Sequence, residues 1–276
     1  MSETVLDERQ GTREKATGLP NLNEYSKMMK SEEKCRASIA LKPMPLWESL
    51  LFFGIPTLLL YFATSVGIPL LKRWLDIPPE ICWFMSGGSI VFLPLLIASI
   101  LAYFIENKTI NLETFKSRFR LQPMNRQDWI WGLLSILGIG MGTAIVIAIA
   151  SSVFADFSPS PPFLSSRMLP PNERWILLAW LPFFFLNIMG EEMMWRGYIL
   201  PRQELTHGEH TWLVHGLLWL MFHLSFGASL LLILLPIIFI QSWVVQRRQN
   251  TWIGVLIHGT INGGGFLAIS LGWAIG

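Results

Sequence analysis

From residue 46 onward the chain alternates long apolar runs with short polar connectors. Seven runs stand out, at about 46–71, 80–105, 129–154, 174–200, 211–226, 227–246 and 251–273. A helix needs about 20 residues to cross roughly 30 Å of hydrocarbon at about 1.5 Å per residue. The second, third, sixth and seventh runs reach that length with no charge in their interior. The first has Glu48 near its start, where headgroups solvate a carboxylate. The fifth is short for a span and reads as tilted, half-buried or continuous with its neighbour. Transmembrane strands would show alternating segments of about ten residues, which are absent, whereas a helix satisfies its own backbone. The expected fold is an all-α, polytopic transmembrane helical bundle of about seven spans. Pro56, Pro69, Pro94 and Pro236 fall inside runs and predict kinks.

Composition agrees with this pattern. Of 276 residues 52% are apolar and 14% charged, against roughly 25% charged in soluble domains. With mean hydropathy of +0.45, an ordinary water-soluble enzyme is excluded. Thirteen Trp, eighteen Phe and four Tyr suit a protein with two membrane interfaces. Cys35 and Cys82 sit in a charged segment and an apolar run, so no disulfide framework is expected.

The distribution of charge adds direction. Residues 1–44 hold eight Lys/Arg and seven Asp/Glu without apolar periodicity, and read as a disordered, solvated tail rather than a signal peptide. Tail, loop 106–128, Arg202 and the pair Arg247–Arg248 place sixteen basic residues on one side; Lys72, Arg73, Arg167 and Arg174 place four on the other. The positive-inside rule then puts the N-terminus in the cytoplasm and the C-terminus outside. The chain divides into the tail, N-terminal transmembrane helices over 45–165, and a core over 174–273.

Candidate chemistry lies in the last hundred residues. The fourth run contains Glu191, Glu192 and Arg196, each costing about 2.5–3.5 kcal/mol at a helix centre on insertion scales. Glu192 and Arg196 are four apart and expected to pair; Glu191 lies about 100° round the helix and is left without a partner in its own helix. Trp219 and His223 lie four apart in the fifth run, His258 and Asn262 four apart in the seventh. Measured from the basic side at about 1.5 Å per residue, Glu191 and His223 come about 18 Å deep, with His258 and Asn262 nearby at about 10 and 16 Å. His215 reads as a core residue, and the His207-Gly208-Glu209-His210 loop as an interfacial connector. Metalloprotease HExxH, phosphate-binding glycine loops, CxxC pairs and basic-aromatic interleaving for nucleic acid are absent.

Glu191-Glu192-x-x-x-Arg196, then Trp219-x-x-x-His223, then His258-x-x-x-Asn262, on successive apolar helices, resemble the CPBP family of intramembrane proteases. That family includes type II CAAX prenyl endopeptidases, bacteriocin self-immunity proteins and lysostaphin resistance protein A-like proteins. One departure is Trp219, where the family's second motif usually starts with Phe. The resemblance implies an endopeptidase of membrane-associated, prenylated CAAX-type or other anchored substrates. Glu191 would activate water, His223 would position it, and His258 with Asn262 would stabilise the oxyanion. Glu192, Arg196 and Trp219 would support that site. Glu191, His223 and His258 are also a candidate Zn²⁺ ligand set, and the same residues serve without metal as base and oxyanion hole. Two other readings stand beside the protease: a non-catalytic immunity or scaffold protein, and a proton-coupled transporter. The lack of corresponding polar residues in the first three runs disfavours transport.

Overall fold

The computed structural model describes residues 41–106, 111–164 and 167–273. All regular elements among them are helical. We number them α1 (Leu46–Trp74), α2 (Pro79–Glu106), α3 (Leu112–Arg118), α4 (Arg126–Val153), α5 (176–207), α6 (Thr211–Phe222), α7 (Ala228–Arg248) and α8 (Thr251–Ser270). The all-α membrane bundle expected from the sequence is therefore what the described chain forms. The tail read over 1–44 lies outside the described residues apart from 41–44. Those four run against the end of α5, where the Met44 N–H donates to the Arg202 carbonyl and Arg202 Nε donates to the Lys42 carbonyl, both at 3.1 Å.

Among the described residues, six stretches are long and apolar enough to span. The fifth sequence run is resolved by being continuous with the fourth: α5, a tight turn and α6 make one helical stretch, Ile176–Phe222. Gly208 at φ +55° provides a left-handed turn between them. With twelve residues, α6 rises only about 18 Å, roughly half the hydrocarbon. It folds back along α5, where His215 Nδ1 meets Gln203 Oε1 at 2.7 Å. It therefore ends inside the bundle, and His223 sits where its last turn stops.

Charged side chains gather into two layers, as alternating helix directions require. At one end Arg202 pairs with Glu48 (2.6 Å), Arg118 with Glu106 (2.9 Å), Arg120 with Glu204 (2.7 Å) and Arg248 with Asp128 (2.7 Å). Arg118 also donates to the carbonyl oxygens of Gly197 and Tyr198, fastening the connector helix α3 beneath α5. Burial pushes its guanidinium pKa down from the ordinary value, and the Glu106 carboxylate opposes that shift. At the other end Arg167 bridges Glu80 (2.8 Å) and Glu173 (2.6 Å), and Leu169 N–H donates to Ser270 O at 2.9 Å. Between the layers, α4 presents Leu133, Leu137, Met141, Ile145 and Ile149 outward, an apolar stripe fit for lipid.

Prolines shape the helices by widening turns. π-Helical segments occupy Ala63–Gly67, Gly88–Phe92 and Met193–Ile199, and each ends two residues before a proline: Pro69, Pro94 and Pro201. A proline lacks the N–H and crowds the carbonyl four residues back, and a wider preceding turn relieves both problems. At the first of them the Ser86 hydroxyl donates to the Ala63 carbonyl at 2.7 Å, linking α1 to α2.

Candidate active site

The site grows from the middle of α5. Gly190 lets α5 approach α2 closely: a Cβ there would stand 2.5 Å from the Phe92 carbonyl oxygen. The next two residues, Glu191 and Glu192, are buried and diverge as their 100° separation requires. The wide turn Met193–Ile199 follows directly.

Glu191 is held by three neutral N–H donors. Asn187 Nδ2 donates to Oε1 at 2.9 Å, while Trp195 Nε1 (3.3 Å) and Trp219 Nε1 (2.8 Å) donate to Oε2. The expectation that Glu191 lacks a partner within its own helix is thus corrected. Asn187 and Trp195 stand four residues to either side, the spacing at which helical neighbours meet.

Glu192 has a different set. Its Oε1 accepts from Arg196 Nη1 (3.1 Å), Gln241 Nε2 of α7 (2.9 Å) and His258 Nδ1 of α8 (2.8 Å). The Glu192–Arg196 pair expected from i,i+4 spacing is present. The Arg196 guanidinium carbon lies 3.6 Å from the Trp219 ring centroid, so one indole covers the cation with its face and reaches Glu191 with its N–H. Gly254 leaves room for Glu192, because a Cβ there would collide with Oε2.

The two histidines have distinct roles in this network. His258 Nδ1 faces the Glu192 carboxylate and Nε2 meets Asn262 Nδ2 at 2.9 Å. With the amide NH₂ donating, the consistent tautomer has Nδ1–H donating to Glu192 and Nε2 accepting. His223 Nδ1 lies 2.9 Å from the Trp219 carbonyl, so it carries the proton and Nε2 is left as an acceptor.

Glu191, His223, His258 and Asn262 all line one cavity of about 490 Å³, together with Asn187 and Trp219. Glu192 and Arg196 lie behind it, fully buried. His215 belongs to the core, paired with Gln203, and does not line the cavity. The His207–His210 turn lies at the charged end. No group of three His, Cys, Asp or Glu among the described residues is arranged to hold a metal ion. The candidate set of Glu191, His223 and His258 does not fit one, since both His258 nitrogens are engaged, Nδ1 with Glu192 and Nε2 with Asn262.

Sequence reasoning missed Asn187, Trp195 and Gln241 as parts of the network. Gln241 had a signal, being an amide in the otherwise apolar middle of α7. Asn187 had the same signal, an amide in the apolar stretch of α5, and Trp195 had only its spacing from Glu191.

Fold and site together define an integral membrane protein with a buried acid–base cluster at one apolar cavity. Residues 173–264, about a third of the chain, match the family model described as type II CAAX prenyl endopeptidase Rce1-like, in agreement with the CPBP resemblance. The matched stretch holds all three motifs, and the family that it matches is one of proteases. Comparison with curated proteins and with solved structures gave no match.

Proposed function

We propose that the protein is an intramembrane endopeptidase that hydrolyses a peptide bond of a membrane-associated substrate with water activated by Glu191. The observation that carries this reading is the meeting of Glu191, His223, His258 and Asn262, from three helices, around one cavity.

Glu191 Oε1 accepts one protein hydrogen bond and so retains a lone pair for a water proton. His223 Nε2 is an acceptor for the second proton of that water, which orients its oxygen toward a substrate carbonyl. As the oxygen attacks the carbonyl carbon, Glu191 takes the proton and negative charge gathers on the carbonyl oxygen. The second amide proton of Asn262 is the donor available to that oxyanion, and His258, tied to Glu192, fixes the amide in place. Collapse of the tetrahedral intermediate breaks the C–N bond, with Glu191 returning the proton to the leaving amine.

The test is incubation of purified protein in detergent with membrane-anchored peptides, prenylated CAAX-type peptides among them, with and without chelator, and fragments read by mass spectrometry. The parent is expected to cut with chelator present. Glu191→Gln should retain its helicity and cut at least about a hundredfold more slowly. Equal cutting by Glu191→Gln would remove the assigned base. No cutting by the parent would favour a non-catalytic membrane partner of the same family.

A further inference from the structure

The cavity is closed toward one end of the bundle and lined toward the other. Below Glu191, in the direction of the ion-paired end rich in Lys and Arg, Trp195, Arg196, Trp219 and Phe222 are at most 1% exposed, and the Phe119 ring packs on Gly197. On the opposite side the lining continues through Trp180 and Phe184 of α5 and Phe266 and Ile269 of α8 to Pro159, Ser160 and Pro161 of the α4–α5 connector. That connector belongs to the end with Arg167, Glu80 and Glu173, where Leu169 meets Ser270. Pro159 is exposed and Ser160 half-buried.

Charge gives these ends their sides. Sixteen Lys/Arg fall in segments joined to the closed end and four in those joined to the open end, so the closed end faces the cytoplasm. The wall between the mouth and Glu191 is aromatic, with Trp83, Phe84, Phe183 and Phe226 added to those above. Such a wall accepts an apolar stretch of polypeptide and offers nothing to a charged one.

We infer that substrate enters from the extracytoplasmic end, and that the substrate class is an apolar segment of a membrane-anchored polypeptide displayed on the face opposite the basic loops. This rests on the protease reading for the word substrate, and on the cavity and charge distribution alone for the side of entry. It separates the chain from hydrolysis of prenylated peptides presented in the cytosol, which would have to pass the sealed Trp195–Arg196–Trp219 floor.

The two parts are tested separately with the full-length chain in sealed right-side-out and inside-out membrane vesicles. In a Cys35→Ser background, a membrane-impermeant maleimide should modify Ser160→Cys in right-side-out vesicles, and His210→Cys, on the exposed turn after α5, in inside-out vesicles. The reverse pattern, or labelling of both from one side, overturns the side of entry. A quenched fluorogenic peptide with an apolar centre and a lipid anchor should be cut when added to right-side-out vesicles, and a prenylated peptide added to inside-out vesicles should not. Cutting of only the second overturns the inference and leaves the protease reading intact. Cutting of neither, even after solubilisation, overturns the protease reading and the substrate class, while the labelling still decides the side from which the cavity opens.

Discussion

Trp219 does two things that no other side chain in the site combines. Its ring covers Arg196 and its N–H is the shortest of the three bonds to Glu191. Trp219→Phe keeps an aromatic face over the cation and removes the donor. A hydrogen bond to a charged group contributes about 1.5–3 kcal/mol. The expected outcome is a fall in kcat of at least about tenfold with KM nearly unchanged and a melting temperature lower by several degrees, read from steady-state cleavage and thermal unfolding in detergent. Glu192→Gln tests the neighbouring network differently. It leaves the fully buried Arg196 without its counter-ion, which costs about 3–5 kcal/mol in buried pairs. Adding Arg196→Met to Glu192→Gln should recover part of the stability but not activity, because His258 has still lost its carboxylate. Glu191, Glu192, Arg196 and the motif histidines were legible because charge or imidazole inside an apolar run is costly and so conspicuous. Asn187 carries a smaller penalty as a neutral amide and Trp195 hardly any, so neither stood out as the partner of Glu191.

Two glycines govern how closely the helices that carry these groups can approach. At Gly190 a methyl would meet the Phe92 backbone oxygen, and at Gly254 it would meet the carboxylate of Glu192. A main-chain carbonyl cannot step aside, whereas a side chain can rotate at a cost. Gly190→Ala should therefore separate α5 from α2 and destabilise the protein by about 1–3 kcal/mol or more. Gly254→Ala should destabilise less and reduce cleavage more, by displacing Glu192 from His258; unfolding and cleavage measured on both variants separate the cases. Helix existence was readable from run length alone. The kinks expected at Pro69 and Pro94 did not announce their form, a wide turn just before each proline as also before Pro201, since that form depends on whether neighbouring helices satisfy the displaced backbone. Nor did the fifth run reveal its end: the run reads to Phe226, but the α-helix stops at Phe222 and hands His223 to the cavity.

For the whole molecule, the basic and sparsely charged loops sorted into two ends because oil permits nothing else, and that sorting was available in the sequence. The cavity was not. Its mouth is set by residues 159–164 of a Pro- and Ser-rich connector and by the aromatic walls of α2, α5 and α8, which only the packing brings together. The chain also fixes one end of the bundle from a distance. Arg202 and Gln203, just beyond the wide turn of α5, reach Glu48 and Ser49 on the first helix. Inserting a single alanine after Ile199, where the ordinary helix resumes, would rotate 200–207 by about 100° relative to Glu191. The clasp on α1 would swing free although every group around the cavity kept its own neighbours. Such an insertion should make α1 the first segment cut in limited proteolysis, showing that angular phase, rather than length, is what couples the Glu191 site to α1.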